Sequence, residues 1–156
     1  MTSNSENLVF TLHQTHDMLR RCEDRVFGEH GLTVEQYSVL SAIEYLNEPV
    51  KVTDVAHRLT RSINSISMIV DRMVKTGLLE RVRDGKDRRV VHLAITDAAE
   101  ILFKPAALAG QKFIQEVLSP LSYGDKQVLA GLLETLQHEA SRHLDSHKPA
   151  GTSNRG

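Results

Sequence analysis

The sequence predicts a mainly α-helical chain interrupted near its middle by one short β-hairpin, and three observations predict it. Aromatic residues make up 4% of the chain, Trp is absent, and Gly and Pro number nine and four. A Leu- and Val-rich core of that kind suits packed helices better than a sandwich or a barrel. Apolar residues recur three and four apart over most of the length, the spacing that lays a stripe along a helix. Only around Asp84-Gly85-Lys86 does the pattern change, to two short β-branched segments on either side of a turn signal.

The bulk properties bound the rest. With 156 residues the chain has the length of one ordinary domain. Its 40% hydrophobic and 25% charged residues are those of a soluble globular protein. No apolar run reaches the ~18 residues of a membrane span, and the first residues, MTSNSEN, lack the charged and apolar blocks of a signal peptide. A single cysteine excludes an internal disulfide, so a cytoplasmic location is expected. We find no nucleophile–base constellation, Gly-rich phosphate loop or paired-carboxylate motif, so no enzyme activity and no cofactor are expected.

The net charge of −1 hides a segregation. Residues 51–92 hold ten Lys or Arg against five acids, whereas the remainder holds nine against fifteen. Phosphate attraction depends on the local face rather than the total, so a basic centre between acidic flanks favours a nucleic-acid partner.

Element by element, residues 6–29 place Leu8, Leu12, Thr15, Leu19, Cys22 and Val26 on a coiled-coil-like seam, and Gly31 is a natural stop. Thr33 is an expected N-cap for a second helix with Tyr37, Leu40, Ile43 and Leu46 inward, ended by Asn47-Glu48-Pro49 because the residue before proline is pushed out of helical geometry. Thr53 opens a short helix burying Val55, Ala56 and Leu59. Only Thr60 and Arg61 then precede Ser62, the N-cap of the next helix, which is a helix-turn-helix connection. That helix lays Ile66, Ile69, Val70, Met73 and Val74 on one stripe and ends at Gly77, while Asn64, Ser65, Met68, Arg72 and Lys75 face the other way.

Strands are expected over 79–83 and 89–95, with Gly85 taking the positive φ of a tight turn. Arg81 and Arg83 leave the first strand on one side, and the loop carries Lys86, Arg88 and Arg89. A helix-turn-helix followed by a basic hairpin is a winged helix, its second helix aimed at a major groove and its wing at the adjoining backbone or minor groove of double-stranded DNA. Expected DNA contacts are therefore Arg61, Ser62, Asn64, Ser65, Ser67, Met68, Arg72, Lys75, Arg83, Lys86, Arg88 and Arg89, with Asp87 pairing Arg89 to shape the wing. Thr96 caps a further helix in which Ile101, Leu102, Leu108, Phe113, Ile114 and Val117 continue the apolar pattern and Pro105 imposes a kink or a split near Lys104. Ser122 and Asp125 form a capping box for a last helix burying Val128, Leu129, Leu132, Leu133, Leu136 and Leu144, and residues 147–156 read as a disordered tail.

These residues carry a resemblance. DRRVVHLAIT, from Asp87 to Thr96, is similar to the D-x-R-x-x-x-V/L-x-L-T wing signature of the MarR family of winged-helix transcriptional regulators, with Ile95 in place of the usual Leu. SINSISMIVDRMVKTG, from Ser62 to Gly77, resembles that family's recognition helix. Met68 stands where many members carry an arginine, and Arg61 where most have an apolar residue. The resemblance implies a sequence-specific regulator, most often a repressor. It also implies a homodimer on a pseudo-palindromic operator, with residues 1–32 and 97–146 as dimerisation helices and 33–96 as the DNA-binding lobe. The uncovered apolar faces at both ends point the same way. A small, often aromatic, effector is implied too, for which His16, Arg20, Tyr37 and Ser41 are candidate lining residues.

Duller readings stand beside the sharp ones. Cys22 is a candidate for redox control, but on an apolar seam a free thiol behaves as a small buried hydrophobe. His13 and His16 lie one helical turn apart and His138, His143 and His147 cluster near the end without forming a compact ligand motif, so no metal site is expected. A winged helix without operator specificity, serving an architectural or protein-interaction role, is the alternative to a regulator.

Overall fold

The computed structural model describes residues 4–47 and 49–146. Its elements are α1 (Asn4–Gly28), α2 (Val34–Leu46), α3 (Val52–Arg58), α4 (Ile63–Lys75), β1 (Leu79–Arg83), β2 (Val91–Ile95), α5 (Asp97–Leu118) and α6 (Tyr123–Ser146). This is a mainly α winged helix with a two-stranded antiparallel wing. The strands pair Leu79 with Ile95, Arg81 with Leu93 and Arg83 with Val91. Val50 adds an isolated bridge, its carbonyl accepting from Leu93 N–H at 2.7 Å. Among the described residues no helix is long and apolar enough to cross a membrane. The chain divides into two compact units, residues up to 113 and residues from 114 onward.

Local chemistry sets the helix ends. The Thr33 hydroxyl accepts from Gln36 N–H while the Gln36 side chain accepts from Thr33 N–H, so two otherwise orphaned donors are satisfied reciprocally at the start of α2. Its other end closes on Asn47 in the left-handed conformation, φ 48°. Glu48, on which the proline argument falls, lies outside the described residues. Helix α3 begins at Val52, earlier than expected from Thr53, because Asp54 accepts from Lys51 N–H at 2.8 Å. At the end of α4, Gly77 (φ 77°) donates to the Val74 carbonyl and Leu78 to that of Met73, the paired bonds of a Schellman motif. The Thr96 hydroxyl donates to the Gly77 carbonyl at 2.6 Å and accepts from Ala99 N–H at 3.1 Å. One side chain thereby caps α5 and ties it to the end of α4.

The core of the first unit gathers Val39 and Leu40 of α2, Val55 of α3, Ile66, Val70 and Met73 of α4, Leu79 and Leu93 of the wing, and Ala99, Phe103 and Ala106 of α5. Helix α1 buries only Phe27, one position beyond the Val26 of the expected seam. The Phe27 ring stacks on Tyr37 with centroids 3.7 Å apart, and Tyr37 meets Phe103 at 5.5 Å. Gly110 makes room for it, since a Cβ there would lie 2.9 Å from Phe27 Cε1.

Several burial expectations are overturned. Cys22 is exposed rather than on a covered seam, as is Leu8. In α5, Ile101, Leu108, Ile114 and Val117 are exposed, because the small residues Ala99, Ala106 and Gly110 with Phe103 provide the closely packed face instead. Helix α5 runs unbroken through Pro105, so the expected split near Lys104 is absent. Ser122 and Asp125 cap α6 as expected, the carboxylate accepting from Ser122 N–H at 3.1 Å. Helix α6 buries none of its side chains, however, and its expected core residues Val128 to Leu144 are 38–67% exposed. Periodicity reports an apolar face without reporting what covers it. Residues 147–156, expected to form a disordered tail, lie outside the described residues.

The double role of Thr96 is testable. Thr96→Val keeps the shape but loses the cap and leaves the Gly77 carbonyl without its donor, and should cost about 1–2 kcal/mol in urea unfolding.

Candidate nucleic-acid interface

The face that α4 presents follows from how the helix starts and which stripe it buries. Thr60 takes a left-handed conformation (φ 51°) and Arg61 N–H donates to the Ala56 carbonyl at 2.9 Å, closing the turn after α3. The Ser62 hydroxyl accepts from Ser65 N–H at 3.2 Å, as an N-cap does. Ile66, Val70 and Met73 are fully buried, with Ile69 and Val74 packed beside them. The opposite face brings Asn64, Met68, Arg72 and Lys75 to the surface, with Ser65 half-buried among them and Ser67 half-buried at its margin. Arg61 joins this face from the turn, its Nη2 donating to Ser65 Oγ at 3.0 Å.

Pairing sharpens the electrostatics of this face. Asp71, the acid on α4, is taken by Arg81 of β1 at 2.6 Å. That contact uses one of the two strand arginines internally and leaves Arg83 exposed. Among the described residues, Arg61, Arg72, Lys75, Arg83, Lys86 and Arg88 have no carboxylate partner, whereas Arg20, Lys104 and Arg142 elsewhere do. A field of unpaired cations on one lobe attracts a polyanion even where the whole chain is near neutral.

The wing is built differently from the expected tight turn. Positive φ among the described glycines occurs at Gly31 and Gly77, not at Gly85, and the second strand starts at Val91 rather than residue 89. The Asp84 carboxylate is the reason. Its Oδ1 accepts from the N–H groups of Lys86 (2.6 Å) and Asp87 (3.1 Å), opening the connection into a loop closed by Asp84 N–H on the Val90 carbonyl. Asp84 Oδ2 meets Nε2 of the half-buried His92 at 3.2 Å. These contacts hold the Asp84 carboxyl below its ordinary value of 3.8, the two backbone N–H groups most and His92 next. Asp87 accepts from Arg89 N–H at 3.0 Å, and its carboxylate lies 3.6 Å from Arg89 Nε. The tip thus exposes Lys86, Arg88 and Arg89 on a loop pinned from within by two aspartates.

A second feature lies between α2 and α5 within the first unit. A cleft of about 540 Å³ is lined by Tyr37, Ser41, Tyr45, Phe103, Lys104 and Gln111 among others. Tyr37, Ser41 and Tyr45 also border a neighbouring hollow of about 380 Å³ that reaches Arg58 and Leu59 of α3. Arg58 lies over the Tyr45 ring, 3.9 Å from its centroid. Burial, and then the Glu23 charge, raise the Tyr37 hydroxyl above its ordinary value, so it stays a neutral donor. Of the four expected lining residues, Tyr37 and Ser41 are here. His16 is exposed on α1 and lines neither hollow, and Arg20 is held in an ion pair with Glu35.

Comparison with known proteins follows the same outline. The MarR family model matches residues 30–90. The HTH-type transcriptional repressor MdtR of Bacillus subtilis (strain 168) is 33% identical over 86 residues, 55% of this chain and only about half, 54%, of that protein. The HTH-type transcriptional regulator MgrA of Staphylococcus aureus is 28% identical over 134 residues, 85% of this chain and 89% of that one. Over residues 30–90, which hold the helix-turn-helix and most of the wing, the chain is similar to the MarR family. The fold of this MarR-like chain is also that of the organohalide-sensing regulator RdhR-CbdbA1625 in its 2,4-dichlorophenol-bound form, with a TM-score of 0.82 at 20% identity over 99% of this chain and 92% of that one. Members of the family are transcription regulators rather than enzymes.

Sequence reasoning missed the inner supports of this MarR-like lobe: Asp84 and His92 beneath the wing, Arg81 on Asp71, and Tyr45, Arg58, Phe103 and Lys104 around the cleft. Asp84 carried a readable signal, an aspartate two and three residues before the N–H groups it accepts from. Lys104 pairs with Glu100 one helical turn away, but the rest meet partners at least eight residues away, and no local pattern marks them. Among the described residues no group of three or more His, Cys, Asp or Glu is placed to hold a metal ion.

The wing support has a definite pH dependence. A carboxyl whose folded pKa is lowered contributes stability that is present above its ordinary value and lost as pH falls through the folded one. Protection factors of the Lys86 and Asp87 amides should hold from neutral pH to about pH 4 and fall below it. In Asp84→Ala they should be low throughout.

Proposed function

We propose that this chain is a sequence-specific transcriptional repressor that binds double-stranded operator DNA as a homodimer and is released by a small aromatic effector. One observation carries the DNA part: α4 buries Ile66, Val70 and Met73 and so presents Arg61, Ser62, Asn64, Ser65, Ser67, Met68, Arg72 and Lys75, beside a wing tip of Lys86, Arg88 and Arg89 with Arg83 at its base. Cations with no internal partner at two points of one lobe suit a groove and its flanking backbone. Residues 33–96 are the DNA-binding lobe in this reading, and 1–32 and 97–146 supply the dimer contacts. The exposed Leu8, Val9 and Phe10 of α1 and the uncovered apolar face of α6 support that assignment, since a symmetric partner would bury both. Two half-sites would then lie about 34 Å apart on a near-palindromic operator.

The effector reading rests on the α2–α5 cleft. Its three aromatic rings and few polar groups, Ser41, Glu44, Lys104 and Gln111, have the composition of a small-molecule site. A phenol or aromatic acid would lie against Tyr37, Tyr45 and Phe103 with its polar end toward Lys104. Such a ligand acts by favouring a recognition-helix spacing that misfits DNA. The dichlorophenol held by a regulator of the same fold supports this choice of ligand class. A second reading has one observation behind it: Cys22 is exposed on α1, open to an oxidant.

Fluorescent DNA from the gene's own upstream region, titrated against scrambled competitor, tests the central reading. Tighter binding of the upstream DNA is expected, and equal affinity would leave only a non-specific winged helix. Lys86→Ala and Arg88→Ala should weaken all sequences alike and flatten the salt slope by about one unit each. Phenols, aromatic acids or organohalides should release the DNA, and Tyr45→Ala should blunt that release without changing affinity in their absence. Release by peroxide that disappears in Cys22→Ser would replace the effector account with a redox one.

A further inference from the structure

Arg61 is placed unlike any other cation of the lobe. It precedes the N-cap of α4, is exposed, and has no carboxylate partner among the described residues. Its backbone is fixed by the left-handed Thr60 and by the bond from Arg61 N–H to the Ala56 carbonyl at 2.9 Å. Its side chain is held as well, Nη2 donating to Ser65 Oγ at 3.0 Å, while Ser65 N–H donates to the Ser62 cap. Ser65 lies on the same helix face as Met68 and Arg72, three and seven residues on. The guanidinium is therefore drawn across the first turn of α4 instead of swinging free from its flank.

We propose that Arg61 reads a base: its guanidinium, steadied by Ser65, donates to the O6 and N7 acceptors of a guanine in the major groove. The proposal rests on the DNA-binding reading above. In helix-turn-helix docking the first residues of the second helix reach base edges, and that is where Ser65 holds the fork. A guanidinium offers two parallel N–H donors in a fixed planar fork that matches guanine O6 and N7, whereas a lysine ammonium reaches the same acceptors as a flexible point charge. A guanidinium can fork a phosphate as well, but the DNA backbone lies to the sides of a groove-bound helix, and this side chain is tied across the helix face. Fixing the side chain before binding also removes part of the ordering cost that a free arginine pays. Further along the face Met68, 57% exposed, brings apolar surface without a strong donor, so directional readout falls to Arg61, Asn64 and Arg72.

The test is selection of binding sites from randomised duplexes by the full-length protein, compared with Arg61→Ala, Arg61→Lys and Ser65→Ala. Circular dichroism of each variant should match the parent, since Arg61 is exposed and Ser65 only half-buried. The parent is expected to select a motif with one guanine in each half-site whose preference falls about tenfold to a hundredfold in Arg61→Ala, with the other positions unchanged. Arg61→Lys should reduce the same preference while keeping the salt slope, and Ser65→Ala should weaken it in the same column. Replacing that guanine by 7-deazaguanine, which lacks the N7 acceptor, should weaken the parent and leave Arg61→Ala unaffected. Uniform weakening of all sequences by Arg61→Ala, or an unchanged motif, would overturn the base-reading role while leaving the repressor reading intact. Absence of any motif from the parent protein would overturn both.

Discussion

Everything the α4 face can do depends on the rotation of that helix about its own axis, and burial of Ile66, Val70 and Met73 fixes that rotation. A helix turned by one residue, about 100°, would bring Ser67 and Asp71 forward and turn Arg72 aside. The three buried side chains meet α2, α3, α5 and the wing in one core, so turning α4 would withdraw three large apolar groups from close packing. At about 1.5–3 kcal/mol for each buried side chain, that constraint outweighs any single polar contact on the exposed side. The presented face can therefore change its chemistry residue by residue without moving the helix.

Second to that constraint is the way charges are spent. The chain holds 19 basic and 20 acidic residues, so its field is made by arrangement rather than by excess. Arg81 neutralises Asp71, the acid nearest the presented face, and the wing aspartates turn inward to backbone N–H groups. The acids of this lobe thus do structural work at short range. Its cations remain outward and act at the longer range that salt screening sets, about 8–10 Å at ordinary ionic strength.

How much of this was legible in the sequence depended on distance along the chain. The caps at Thr33, Ser62, Thr96 and Ser122 and the stop at Gly77 were readable because their chemistry completes itself within three or four residues. The stripe of α4 was readable because a helix repeats over its own length. The wing turn was misread for a reason equally local: Asp-Gly has two outcomes, and the Asp84 carboxylate capturing Lys86 and Asp87 won over a positive φ at Gly85. Phe27 in place of Val26, the ion pair that takes Arg20 away from the cleft, and the gathering of Tyr45, Arg58 and Phe103 were not readable. Each is decided by a partner on another helix. The apolar faces of α1 and α6 are the limiting case, since the pattern is plain in the sequence and Leu8, Val9 and Phe10 of α1 and Val128 to Leu144 of α6 stand exposed.

The hydroxyl of Thr96 has a mechanical consequence. Because it holds the Gly77 carbonyl at 2.6 Å while capping α5, the last turn of α4, the first turn of α5 and the two ends of the wing meet at one hinge pin. Parts joined at a pin share displacement in proportion to their length from it, and α5 extends over 22 residues, about 33 Å. A small tilt of α5 at its far end becomes a much smaller shift at the pin. With Ala99, Phe103 and Ala106 packed in the same core, the first turns of α5 and the end of α4 are coupled at both the hydroxyl and the apolar layer beneath it.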